Sequence, residues 1–148
     1  MKIDIRPPKT EKEFADYYQL RWEILRKPSN EPRGSEKDSL ESKASHIAAF
    51  DGDRLIGCGR VHYNSPDEAK VRFMAIDPEY QNQGIGGMIL DKLEEIAHNK
   101  GVKYIILDAR ETAVDFYKKH GYDTTEASHV LFANIPHWRM KKNIGERS

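Results

Sequence analysis

The chain has 148 residues, with 24 Lys and Arg balanced by 24 Asp and Glu, and suits one domain spanning 1–148 with its own core. That balance leaves no global field toward nucleic acid or an anionic membrane, so neither is expected as a main partner. No run approaches the roughly 18 apolar residues of a membrane span, MKIDIRPPKT lacks the apolar centre of a secretory signal, and the single cysteine, Cys58, excludes an internal disulfide and a multi-cysteine metal site; a cytoplasmic setting is expected.

In chain order, IDIR reads as a first strand closed by Pro7 and Pro8. Thr10 and Glu13 form a capping box, and Phe14, Tyr17, Leu20, Ile24 and Leu25 recur at helical spacing as far as Pro28. The polar stretch KPSNEPRGSEKDSLESKAS reads as a loop holding at most a short helix. HIAAFDGDRLIGCGRVHYN reads as two strands joined at Asp51-Gly52, a hairpin dipeptide, with Cys58 as a small buried residue rather than a nucleophile. AKVRFMAI is a further strand, reached through the turn at Ser65-Pro66-Asp67.

Ile85, Met88, Ile89, Leu93, Ile96 and Ala97 then repeat at i, i+3 and i+4, with Gly101 at the position of a C′ glycine. KYIILDA is a strand, and TAVDFYKKHG a short helix with Thr112 as N-cap and Gly121 as C′ residue. SHVLFANIPHWRMKK supplies one or two more strands. Hairpins come early and a strand–helix–strand unit later, which predicts a mixed sheet with at least one parallel crossover.

The stretch MAIDPEYQNQGIGGMIL places three glycines, Gly84, Gly86 and Gly87, at the mouth of an amphipathic helix. A helix start presents unpaired N–H groups and a favourable dipole, and glycines let a ligand approach the backbone, so the pattern suits a phosphate. Close packing is the plainer reading of the same glycines. A nucleoside triphosphate loop would need Lys-Ser/Thr where Met88 and Ile89 stand. A dinucleotide fingerprint would need glycine at Ile89 and no DPEYQNQ lead-in; Asp108, at the end of the next strand, fits a ribose ligand only superficially.

Gln81-x-x-Gly84-x-Gly86, between a strand and an amphipathic helix, resembles the acyl-CoA loop of the GNAT acetyltransferase superfamily. AVDFYKKHGY, after the following strand, is similar to that superfamily's second hallmark, a short helix with a tyrosine that ends in glycine and an aromatic. LRWEILRKPSNEPRGSEKDSLE, VRFMAIDP, DARETAVDFY and IPHWRM also look like a bacterial subgroup whose domain is sometimes fused to a hotdog thioesterase, a second domain that does not fit in this length.

The resemblance implies an α/β fold with a mixed, mostly antiparallel sheet flanked by helices, around a βαβ core that binds acetyl-CoA, without a metal. Backbone groups of Met74, Ala75 and Ile76 would meet the pantetheine arm. The N–H groups of Gln81, Asn82, Gln83, Gly84, Ile85, Gly86 and Gly87 would hold the pyrophosphate, and Phe116 joins the cofactor-binding set. Gln81 stands where arginine is common, and Arg110 where many relatives have asparagine, so both are departures within that set. Tyr117 matches the tyrosine beside the thioester sulfur.

Acetyl transfer to an amine needs an uncharged nucleophile, a polarised carbonyl and a proton for the leaving thiolate. A phenol of pKa about 10 lies close enough to a thiol of about 8.5 to share that proton, which suits Tyr117, and a strand N–H near Met74 or Ala75 can polarise the carbonyl. Candidate bases are Glu31, Glu36, Asp38, Glu41, His46, His62, Glu111, His129 and His137. Of these, His62 and His137 are preferred, and a base-free route stays open. Arg60, His62 and Arg72 are expected on strands bordering the acceptor cleft. The alternating charges of PRGSEKDSLE read as a solvated loop; if it instead covers the acceptor site, Arg26, Lys27 and Arg33 can meet an acidic acceptor.

The leading reading is direct acetyl transfer from acetyl-CoA to an amine of a small-molecule or peptide acceptor. Transfer to a carrier-bound thiol and a non-catalytic acyl-CoA sensor are the alternatives. A homodimer paired through the C-terminal strand is left open.

Overall fold

The computed structural model describes residues 2–127 and 136–145. Strand β1 (Ile3–Arg6) leads into helix α1 (Glu11–Leu25), whose N-cap Thr10 accepts a hydrogen bond from the N–H of Glu13. The Glu13 carboxylate accepts in return from the N–H of Lys9, at 2.8 Å, one residue before the cap. Two single 3₁₀ turns, Lys27–Ser29 and Glu41–Lys43, punctuate the long loop to strand β2 (Ser45–Asp51). A tight hairpin then carries the chain into β3 (Arg54–Tyr63), and β4 (Glu68–Ile76) follows antiparallel.

Helix α2 (Ile85–Asn99) crosses to β5 (Tyr104–Arg110), which pairs parallel to β4. Gly101 closes α2 as expected, with φ +83°. A 3₁₀ turn at Glu111–Ala113 precedes α3 (Val114–Lys119), so Thr112 lies inside that turn rather than capping α3. Strands β6 (Asp123–Ala127) and β7 (His137–Asn143) complete a seven-stranded sheet in the order β1-β2-β3-β4-β5-β7-β6. The part of the expected tail strands at 128–135, with His129, lies outside the described residues. Among the described residues no helix is long and apolar enough to cross a membrane.

Two apolar layers cover opposite faces of this sheet. The α2 side gathers Ile89, Leu90, Leu93, Val61, Val71, Ile105, Leu107 and Tyr117, while Tyr17 and Leu20 of α1 pack with Ala48, Phe50, Leu55, Cys58 and Ala75 on the other. Cys58 is fully buried, its Sγ donates to the Phe73 carbonyl at 3.3 Å, and burial pushes its thiol up to about 11, as an inert core residue requires.

Candidate active site

The site begins with a defect in β4. Across β3, Cys58 pairs with Ala75 and Arg60 with Arg72, so Gly59 alone opposes both Phe73 and Met74, a β-bulge. Phe73 takes φ +58°, a left-handed backbone that a bulky residue adopts at a cost on the order of 1 kcal/mol or more. The bulge inverts the side-chain alternation. Before it, Ala69 and Val71 pack on the α2 side; after it, Met74 and Ile76 do, and Ala75 joins the α1 side.

Already before the bulge β4 loses its other neighbour. Pairing with β5 runs only through Glu68↔Tyr104, Ala69↔Ile105 and Lys70↔Ile106. The Asp77 N–H donates to the Ile56 carbonyl at 2.8 Å, which makes Gly57↔Ile76 a non-hydrogen-bonded pair. The N–H and C=O of Ile76 therefore point away from β3, toward the gap that β5 leaves. An extended ligand can lie there as a further strand would.

Next to that edge lies the glycine loop. Asn82 and Gly84 both have positive φ, +62° and +80°, and α2 starts without a side-chain cap. Its first internal bond runs from the Met88 N–H to the Gly84 carbonyl at 3.2 Å. None of the N–H groups from Gln81 to Gly87 donates a hydrogen bond among the described residues. Consecutive free amides at the positive end of a helix dipole form an anion seat. Packing also explains part of the glycine pattern: a Cβ at Gly87 would stand 2.7 Å from the His120 ring, and one at Gly86 3.2 Å from Phe116. Phe116 thus sits where α3 meets the mouth of α2.

Between the parted strands lies a cleft of about 320 Å³, lined among others by Arg72, Met74, Asp108, Arg110, Tyr117 and His137. The Tyr117 hydroxyl makes no hydrogen bond among the described residues, and burial pushes the phenol well above its ordinary value. It is a neutral phenol at any physiological pH, with a donor to offer. Asp108 is held by Arg139 at 2.7 Å and Lys70 at 2.9 Å.

A model of the GNAT acetyltransferase domain matches residues 15–144 of this chain. The chain belongs to the GNAT acetyltransferase family. The N-acetyltransferase YjcF of Bacillus subtilis, itself uncharacterized, is 35% identical over 135 residues, 91% of this chain and 96% of the relative. Among solved structures, an aminoglycoside 6′-N-acetyltransferase complexed with coenzyme A superposes with a TM-score of 0.81 at 17% identity, covering 100% of this chain and 99% of that one. A GNAT acetyltransferase of Elizabethkingia anophelis with acetyl-CoA bound reaches 0.75 at 18%, covering 95% and 97%. At these identities the two structures speak for the fold, and the family assignment rests on the sequence match. The bulged strand, parted sheet and glycine loop are thus parts of an N-acetyltransferase.

The acetyltransferase distributes its candidate bases unevenly. His137, on β7 beside Arg110, lines the cleft. His62 does not: it is 5% exposed, and Arg60 Nη2 donates to its Nδ1 at 2.9 Å, which leaves the proton of the neutral ring on Nε2. Burial and then the Arg60 charge hold its pKa below the ordinary histidine value. His46 is engaged by Tyr17 Oη at 2.9 Å and the Glu41 carbonyl at 2.7 Å. Glu31 and Glu111 are not in the cleft lining, and Glu36 accepts from the Gly34 N–H at 2.7 Å.

Asp38 and Glu41 overturn the solvated reading of PRGSEKDSLE. Arg21 and Arg60 are both fully buried, and this loop supplies their counter-charges. Arg60 donates to both Asp38 oxygens at 2.6 and 2.9 Å, Arg21 donates to Glu41 at 3.0 Å, and Arg72 reaches Asp38 at 3.0 Å. The guanidinium carbons of Arg21, Arg72 and Arg60 lie 4.2, 4.4 and 4.9 Å from the Phe73 ring centroid, so the bulge residue rests among cations. One signal in the sequence pointed here: Arg21 falls on the apolar stripe of α1, four residues after Tyr17, and a charge at a core position demands partners.

Proposed function

We propose that the protein moves an acetyl group from acetyl-CoA directly to the amine of a small acceptor bound with it in one complex. The observation that carries this reading is the continuity of three features: free amides from Gln81 to Gly87, the unpaired edge of β4, and the Tyr117 hydroxyl in the same cleft. CoA-bound structures of the same fold support the same donor.

In this reading the N–H groups of Gln81, Asn82, Gln83, Gly84, Ile85, Gly86 and Gly87 hold the pyrophosphate, with Gln81 offering no cation. The pantetheine arm runs along Met74 and Ile76, while Phe116 closes the side toward α3. A backbone N–H at Met74 polarises the thioester carbonyl, held in place by the bulge, since the Ala75 N–H points to Cys58 of β3. The neutral amine attacks that carbonyl, the C–S bond breaks as the C–N bond stands, and Tyr117 offers its phenolic hydrogen to the departing sulfur. Desolvation that raises the phenol pKa acts on the thiol beside it in the same direction, so the two stay matched. In this reading His137, which lines the cleft, takes the ammonium proton, directly or through water.

The test is Tyr117→Phe, which removes one oxygen and preserves the packing. A loss of about a hundredfold in kcat is expected, within the range of general acid catalysis, with thermal stabilisation by acetyl-CoA retained. An unchanged kcat across pH sinks the assigned role.

A further inference from the structure

The cations of the cleft stand on one face of the sheet, away from the phosphate end. Lys70 and Arg72 face the same way as His62 and Arg60, their direct partners on β3. Across the gap, Asp108 and Arg110 share that face with Arg139 and His137 of β7. Arg26, just past the end of α1, completes the wall. Helix α1 packs over β3 and β4, so this polar strip beside it is a floor rather than a core.

Its charges do not cancel. Among the described residues, the lining holds Arg26, Lys70, Arg72 and Arg110 against one carboxylate, that of Asp108. That carboxylate already serves Lys70 and Arg139, and Asp38, which meets Arg72, is shared with Arg60. The Arg110 guanidinium makes one hydrogen bond among the described residues, a long 3.4 Å contact to the Leu25 carbonyl. Burial chiefly, and then the neighbouring charges of Arg72, Arg110 and Arg21, push Arg26 down to about 10.

This potential is not there for the CoA phosphates. Arg72 lies four strand residues before Ile76, about 13 Å, and the glycine loop is farther still, beyond a Debye length of about 8 Å. Nor does the thioester carry charge. We propose that the acceptor amine also bears an oxyanion, a carboxylate or phosphate, seated between Arg72 and Arg110 with its nitrogen toward Met74. The proposal rests on the amine-transfer reading and narrows its substrate class to small amino acids and similar zwitterions. The size follows from about 320 Å³ that must also admit the end of the pantetheine arm. Guanidinium forks match planar oxyanions in two-point contacts. The same cations favour the neutral form of an ammonium group beside them, which prepares the nucleophile without a strong base.

The experiment follows CoA release by the full chain with matched amines: α-amino acids against their carboxamides, O-phosphoethanolamine against ethanolamine, and 1,4-diaminobutane. Thermal stabilisation of the protein–CoA complex by the same compounds is read in parallel. The anionic member of a pair is expected to lead by about ten- to hundredfold in kcat/KM, mostly through KM, as a charge-assisted hydrogen bond supports. Whether the carboxylate or the phosphate pair leads tells which oxyanion fits. Arg110→Gln and Arg72→Gln should bring that ratio toward one, with Arg110→Lys keeping part of it. Neutral amines or the diamine performing as well as the acids overturns the oxyanion seat while leaving amine transfer intact. Acids that stabilise the complex over their amides, with no amine releasing CoA, leave the seat standing and overturn amine transfer.

Discussion

Asp38 grips Arg60 with both carboxylate oxygens, at 2.6 and 2.9 Å, although one residue lies on the loop after α1 and the other deep on β3. Arg60 is fully buried and has Glu41 as its other carboxylate partner. Asp38→Asn keeps the shape but removes one counter-charge and exposes Arg72 to the loss as well. Because Asp38 is partly solvated and Glu41 remains, about 2 kcal/mol of destabilisation is expected rather than the larger cost of a stranded buried charge. Urea denaturation measures it, and earlier proteolytic cleavage within 30–44 should accompany it. A variant as stable as the parent, with an intact loop, refutes the tether.

Mild acid should weaken the fold through two largely buried histidines. His46 and His62 both have pKa values held below the ordinary one, in each case first by burial. Charged groups around them are Arg21, Glu41 and Arg60 for His46, and Arg60, Asp38, Lys70 and Arg72 for His62. A depressed histidine binds its proton more readily when unfolded, so its stabilisation is full above about pH 6.5 and is lost as pH falls through the folded value. Each group contributes at most about 1.4 kcal/mol per pH unit. Denaturation at pH 7.5, 6.5 and 5.5 should show declining stability, with a shallower decline in His46→Gln. Equal stability at 7.5 and 5.5 contradicts the assignment.

Gly84→Ala isolates backbone conformation. An added Cβ meets nothing within 4 Å, so only the left-handed φ of +80° opposes it. About 1 kcal/mol of stability should be lost, and the KM for acetyl-CoA should rise with little change in kcat as the amides lose their aim. A KM equal to the parent's means the loop does not hold the donor.

Gln81→Arg restores the cation that resembling loops carry. The position is exposed and follows the turn at Pro78–Tyr80, so the change costs the fold little. Acetyl-CoA affinity should improve severalfold through a charge-assisted contact, and should become more sensitive to salt. Calorimetric titration at two ionic strengths decides it; unchanged affinity at low salt places Gln81 away from the phosphates.

Local patterns made most of the frame legible. The spacing of Tyr17, Leu20 and Ile24, the Thr10 cap, the hairpin at Asp51-Gly52 and the Gly101 stop each follow from interactions within a few residues. What stayed hidden depends on pairing between distant segments. FMAI has the composition of a regular strand, and a phenylalanine in the left-handed region is the opposite of a turn signal, so the bulge could not be read. PRGSEKDSLE looked solvated because its partners, Arg21 and Arg60, lie on other elements. Arg26 lines the cleft as one reading allowed, whereas Lys27 and Arg33 instead approach the Trp22 ring, at 5.8 and 4.9 Å. The polar Asp123–Ala127 gave no strand signal and owes its conformation to β7.

The bulge at Phe73 and Met74 also divides labour within nine consecutive residues of β4. In the proposed reading, Lys70 and Arg72 upstream serve the acceptor, and the backbone edge of Met74 and Ile76 downstream serves the donor. Because the phase of the strand reverses between them, a substitution at 70 or 72 can retune the choice of acceptor without reshaping the donor's track. If both proposed seats hold, one strand would carry two specificities that meet only at Met74.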